Sequence, residues 1–98
     1  MSVYEKVISS LSEIEHQLAS DSVSEATRKN LELLLVEQSL FFNNHSLDTS
    51  NLKLLAAGGS VDKNSVKREV SKIIGLAMQL SNREAEILKS AEDLKKWR

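Results

Sequence analysis

The chain has 98 residues, 41% hydrophobic and 28% charged, which is typical of a single globular domain spanning residues 1–98. It contains no cysteine, which excludes a disulfide framework, a thiolate nucleophile and a cysteine metal site. The net charge of −1 conceals an asymmetry, because residues 1–52 carry −5 (three basic, eight acidic) and residues 53–98 carry +4 (ten basic, six acidic). Halves of opposite charge can dock on each other or across a dimer, and a basic half can also meet nucleic acid.

The N-terminus, MSVYEKVISSL, has neither the basic region nor the apolar segment of a targeting sequence. The most apolar run, residues 31–42, is too short and too interrupted by charge to cross a bilayer. The absence of cysteine fits a reducing compartment. We therefore expect a cytoplasmic protein without a membrane-spanning segment.

No proline is present and no segment alternates apolar with polar residues over the length of a strand, so the sequence predicts an all-α fold. A first helix is predicted near 3–19, with Ser2 and Glu5 as a capping box at its start. Its apolar residues recur at spacings of three and four and form one stripe. They are Tyr4, Val7, Leu11, Ile14 and Leu18.

A second helix is predicted near 23–43, after a break at 20–22, with Ser22 and Glu25 as a second capping box. The first two helices should form an antiparallel hairpin. Its segment 31–42, LELLLVEQSLFF, is apolar in nearly every direction around the helix axis. Such a helix must be covered on several sides. We expect it to be a central rod around which the rest of the chain, and also a second chain, can pack.

A short third helix is predicted near 50–57, capped by Asp48 or Ser50 and ended by Gly58 and Gly59. A fourth is predicted near 61–96, where apolar residues follow a heptad rhythm with one charged position. The positions of this seam are Val66, Val70, Ile73, Ala77, Leu80, Glu84, Ile87, Ala91 and Leu94.

Two alternatives remain for the fourth helix. A continuous helix would be longer than its own bundle requires, whereas Ser81 and Glu84 match a capping box that would break the helix near Ser81. In either case we predict a small bundle of four helices. Its predicted core includes Leu11, Ile14, Leu34, Phe41, Val70, Ile73 and Leu80.

Groupings with catalytic or metal-binding chemistry are few. Glu13 and His16 form the Glu-x-x-His pair that di-iron bundles use, but the second such pair is missing, and we expect His16 to face solvent. The sequence contains no recognisable nucleophilic triad, phosphate-binding loop or zinc spacing. We therefore expect no enzymatic activity and neither a cofactor nor a metal site.

Residues 52–74 have the order helix, tight turn, helix at roughly the spacing of a helix-turn-helix motif. The residues expected to pack its helices together are Ala56, Val61 and Val66. The residues expected to contact nucleic acid are Lys63, Asn64, Lys67, Arg68 and Lys72. A double glycine is looser than the usual turn, and Asp62 and Glu69 dilute the positive charge, so DNA binding is the second hypothesis.

The first hypothesis is a non-enzymatic protein that binds and modulates a larger protein, as adaptors, chaperones and immunity-type inhibitors do. The seam of the fourth helix can serve as the core of a bundle or as a contact between chains, and its length favours a homodimer through 66–94. A tryptophan among basic residues at the C-terminus offers an aromatic anchor. The predicted partner-binding residues are Glu84, Ile87, Ala91, Leu94, Trp97 and Arg98.

Overall fold

The computed structural model describes residues 3–20 and 23–96, and it describes side-chain surroundings as far as Glu92. The described residues form five helices and no strand, which confirms the predicted all-α bundle. The helices are α1 (Val3–Ala19), α2 (Glu25–Glu37), α3 (Ser39–Asn44), α4 (Ser50–Ala56) and α5 (Lys63–Lys96).

The predicted second helix is divided into two, which gives five helices, four of them with seven residues or more. The division lies at Gln38, whose φ of −107° and ψ of 23° are not helical. Both phenylalanines of the following helix α3, Phe41 and Phe42, are buried.

The start of α2 also differs from the prediction, because its N-cap is Ser24. The Ser24 hydroxyl accepts a hydrogen bond from the Thr27 amide at 3.2 Å. Gln17 of α1 fixes this turn, since its side chain accepts from the Ser24 amide at 2.8 Å and donates to the Thr27 hydroxyl at 2.7 Å. Ser2 and Ser22, the predicted caps of the first two helices, lie outside the described residues.

The first two helices form the predicted antiparallel hairpin. The end of α1 meets the start of α2 through Gln17 and Thr27. At the other end, the rings of Tyr4 and Phe41 pack edge to face with their centroids 5.9 Å apart. The beginning of α1 therefore lies beside α3.

α4 returns along α2 and delivers the chain to the start of α5. It ends, as predicted, at the glycine pair, where Gly58 has φ 82° and the Gly59 amide donates to the Leu54 carbonyl at 2.9 Å. A Cβ on Gly58 would lie 3.4 Å from the guanidinium of Arg28, near the start of α2. Because α5 begins at this end of the bundle, it runs antiparallel to α1.

One hydrophobic core joins the five helices, and α1 and α5 each contribute four of its buried side chains. Six of the seven predicted core residues are buried, whereas Leu80 is half-buried at the edge of the core. The buried hydrophobic residues are Val7, Leu11, Ile14, Leu18, Leu31, Leu34, Phe41, Phe42, Leu52, Leu55, Val66, Val70, Ile73 and Ala77.

The central-rod prediction for 31–42 is wrong within a single chain. Leu33, Val36 and Leu40 are 57%, 70% and 74% exposed, because the neighbouring helices cover α2 and α3 on one side only. The centre of the bundle is instead the α1–α5 pair, whose facing stripes are both fully buried.

Of the two alternatives for the fourth helix, the structure has the continuous one, since α5 runs without interruption from Lys63 to Lys96. No proline interrupts its hydrogen bonds at that point. Its 34 residues span about 51 Å at 1.5 Å per residue, which accounts for most of the 58 Å long axis of a molecule only 25 by 21 Å across.

Gly75 provides a test of the α5 packing. It is exposed in the interior of the helix, and a Cβ built on it meets nothing within 4 Å. Gly75→Ala should therefore stabilise the protein by about 0.5–1 kcal/mol, because alanine favours the helix and restricts the unfolded chain. Thermal unfolding followed by circular dichroism measures the change. Gly58→Ala is the control and should lower stability, since its positive φ strains an alanine. Destabilisation by Gly75→Ala would contradict the open surface described for this face.

Candidate functional site

The C-terminal part of α5 extends past the bundle. We call residues 82–96 the projecting segment. Every described side chain in it, from Asn82 to Glu92, is exposed, and Ile87 and Leu88 are 63% and 59% exposed. Exposed apolar side chains of this size, side by side on a helix without neighbours, are typical of an interaction surface.

The predicted partner-binding residues fall on this segment or beyond it. Glu84, Ile87 and Ala91 are exposed on one side of the helix. Leu94 lies in α5, but its side chain is outside the described part, as are Trp97 and Arg98 altogether.

The apolar face of the projecting segment continues the face that α5 buries in the bundle. At 100° per residue, Ile87 and Ala91 lie within about 40° of Ile73 around the helix axis. Ile73 is fully buried in the core shared with α1, whereas Ile87 has no covering helix. One apolar strip therefore runs along α5, and α1 covers only its first half.

This arrangement restricts the predicted contact between chains through 66–94. Val66, Val70, Ile73 and Ala77 are fully buried in the chain's own core and cannot contact a second chain without unfolding it. The part of the seam that remains accessible begins at Glu84.

The predicted nucleic-acid contacts form a second candidate surface, which we call the basic face. All five are exposed on the first three turns of α5: Lys63, Asn64, Lys67, Arg68 and Lys72. Glu69, expected to dilute their charge, is turned inward and is only 7% exposed. Along residues 63–83 α5 consequently exposes no acidic side chain.

The structure shows the packing of the three residues expected to join the helices of the helix-turn-helix motif. Val66 is buried, and Ala56 and Val61 pack against the core as half-buried residues. The connection between the helices, 57–62, has six residues, whereas the motif uses three or four.

Glu69 joins α5 to α4. Its carboxylate accepts hydrogen bonds from the backbone amides of Asn51, at 3.1 Å, and Leu52, at 3.2 Å, and from the Asn51 side-chain amide. These are amides of the first turn of α4, whose N-cap residue, Thr49, provides no side-chain cap. A carboxylate at this position also compensates the positive end of the helix dipole.

The predicted caps of α4, Asp48 and Ser50, bind each other. Asp48 accepts hydrogen bonds from the Ser50 hydroxyl at 2.6 Å and from the Ser50 amide at 3.0 Å. The Ser50 hydroxyl and amide, reinforced by the charge of Lys72, hold the pKa of Asp48 below its usual value. The capping role of Glu69 was missed, although its place among the buried Val66, Val70 and Ile73 was a signal that it faces inward.

The surface contains an open groove of about 680 Å³ between residues 46–51 and α5. Its walls carry both signs of charge, with Arg68 and Lys72 facing Asp48.

Within the described part of the chain, no three histidine, aspartate or glutamate side chains cluster to hold a metal. His16 is exposed, as predicted, and Glu13 accepts a hydrogen bond from Gln17 at 2.9 Å.

Comparisons of the chain with protein-family models, curated proteins and solved structures found no match. Of the helices that the structure describes, none is long and apolar enough to pass through a bilayer. The candidate functional surfaces are the projecting segment and the basic face of α5.

The hydrogen bonds that Glu69 accepts from α4 predict a loss of stability when this side chain is removed. Glu69→Ala should reduce the free energy of unfolding by about 1–3 kcal/mol, because it leaves two amides of α4 without their acceptor. Urea unfolding measures the loss. The matched control is Glu86→Ala on the exposed part of α5, which should change stability by less than about 0.5 kcal/mol. Equal effects of the two substitutions would contradict the capping role.

Proposed function

We propose that this protein is a non-enzymatic helical interaction protein that binds a larger protein through the projecting segment and modulates it. The observation that carries the proposal is the bare continuation of the α5 strip, with Ile87 and Leu88 exposed beyond the end of α1. Other proteins bind the apolar face of a helix in one of two ways: they provide a hydrophobic groove for it, or they pair a helix with it in a coiled coil. The partner supplies the cover that α1 gives to the first half of α5.

The proposed role is that of an adaptor, a chaperone-like protein or an immunity-type inhibitor. The proposed location is the cytoplasm, because a chain without cysteine suits a reducing compartment. Trp97 and Arg98, which follow the projecting segment in the sequence, are proposed as further contacts, with the tryptophan among basic residues as an aromatic anchor. A homodimer is proposed as well, confined to the accessible part of the seam.

Affinity capture with substituted chains tests the proposal. The full chain, an Ile87→Asp variant and a Leu40→Asp variant are used to capture partners from the source cell. We expect the full chain to capture one stoichiometric partner. The amount of partner recovered with Ile87→Asp should be at least about 10-fold lower, because a charge in an apolar contact is costly. Leu40→Asp is the matched control, since Leu40 is equally apolar and 74% exposed on α3. A partner that both variants retain would place the binding surface elsewhere.

DNA binding by the basic face is the second candidate function. The observation that favours it is the inward position of Glu69, which leaves only cations among the charged side chains that α5 exposes along 63–83. Cations on the exposed side of a helix contact phosphates regardless of base sequence.

Salt-dependent binding to duplex DNA tests this candidate. If the basic face binds, affinity should fall steeply with salt, and Lys67→Ala and Arg68→Ala should each reduce the slope of log K against log salt by about one. Lys89→Ala, on the projecting segment, is the control. No binding to duplex DNA even at low salt would exclude the candidate.

A further inference from the structure

We infer that, when no larger partner is bound, the projecting segment is covered by the projecting segment of a second copy of this chain, in antiparallel orientation. This inference rests on the proposed function, because it names a further occupant of the same surface. It is carried by the continuity of the α5 strip, by the length of the bare segment and by the position of Glu84.

The dimensions of the fold fit such a pairing. α1 is about 26 Å long and lies antiparallel on the first half of the strip, while the projecting segment is about 22 Å long. A second projecting segment laid antiparallel on the first continues the line of α1 along the same strip. The pairing has two-fold symmetry, so each copy covers the other with the same residues.

Glu84 selects the antiparallel orientation. In a parallel pair Glu84 would face Glu84 of the second copy on the seam, and like charges at one seam layer repel. In the antiparallel register that sets Ile87 opposite Ala91 of the second copy, Glu84 is instead level with position 94 and next to position 95. Position 95 is a lysine, which offers the acidic side chain a charge of opposite sign.

The same register packs apolar residues at its centre. Ile87 of each copy faces the small Ala91 of the other copy, so the same contact occurs on both sides of the two-fold axis. Leu88 lies beside the seam and meets Leu88 of the second copy near that axis. The exposed apolar side chains, Ile87 and Leu88, are both covered in this arrangement.

Self-pairing gives the proposed surface a simple form of regulation. The second copy and the larger partner require the same residues, so binding of one excludes the other. The few apolar residues per segment predict a weak pair, with a dissociation constant of about 10–100 μM. A partner with a longer apolar groove would displace the second copy.

Sedimentation equilibrium of the full chain, from a few to several hundred micromolar, tests the pairing. The mass should rise from 10.9 kDa toward twice that value, 21.8 kDa, as concentration increases. Ile87→Asp should weaken the association at least about 10-fold, because it places a carboxylate in the seam. Leu40→Asp should leave it unchanged. Circular dichroism of each variant establishes that the bundle remains folded.

Spin labels measure the orientation. The chain has no cysteine, so Asn82→Cys provides a single label on the exposed side of the projecting segment. In the antiparallel register position 82 is level with position 96 of the second copy, which separates the labels by at least about 20 Å along the axis. A parallel pair would keep the lateral distance between the two labels but remove this axial offset of about 20 Å, so the measured distance would be shorter by roughly 8 Å.

The outcomes separate the pairing from the proposed function. A wild-type mass that stays at 10.9 kDa, a dimer that survives Ile87→Asp, or a short label distance would each overturn the antiparallel pairing. Capture of a larger partner could still succeed in those cases. A dimer with the expected distance but without any captured partner supports the pairing and removes only the proposed function.

Discussion

The packing of α5 against α1 is the constraint on which the rest of the molecule depends. Both helices carry one apolar stripe, and each must bury it, but α5 has 34 residues and α1 has 17. Where α1 is present, Val66, Val70, Ile73 and Ala77 are fully buried. Beyond α1 the same strip continues uncovered. The proposed interaction surface is thus a consequence of unequal helix lengths.

Glu69 connects this packing to the second surface. By binding the first turn of α4, it holds a helix of only seven residues in place against α5. The same bonds turn its carboxylate away from the solvent-facing side of α5, so the charged side chains exposed along 63–83 are all basic. One side chain therefore affects both the stability of the bundle and the electrostatics of its surface.

Sequence periodicity predicted most of the fold, because it identifies which residues share a helix face. It predicted the stripe of α1 and the rhythm of α5, while the glycine pair predicted the end of α4 at Gly58. It did not show whether another helix covers a face, so the exposure of Leu33 and Val36 was missed. The break at Gln38 and the cap by Glu69 depend on tertiary contacts that local spacing does not record. The candidate surfaces were located by sequence, but their limits required the position of α1.

Hydrogen exchange along α5 tests the central claim most directly. At about 0.1 μM, far below the dissociation constant of about 10–100 μM proposed for the pair, self-pairing is negligible. Amides from Val66 to Ala77 should then exchange only on opening of the bundle, whereas those from Asn82 to Glu92 should exchange at least about 100-fold faster. The reason is that a helical segment of this length without tertiary contacts is marginal in water. A step in protection near Ser81 is the predicted result. Equal protection on both sides of Ser81 would mean that the projecting segment is packed within its own chain, and would contradict the account.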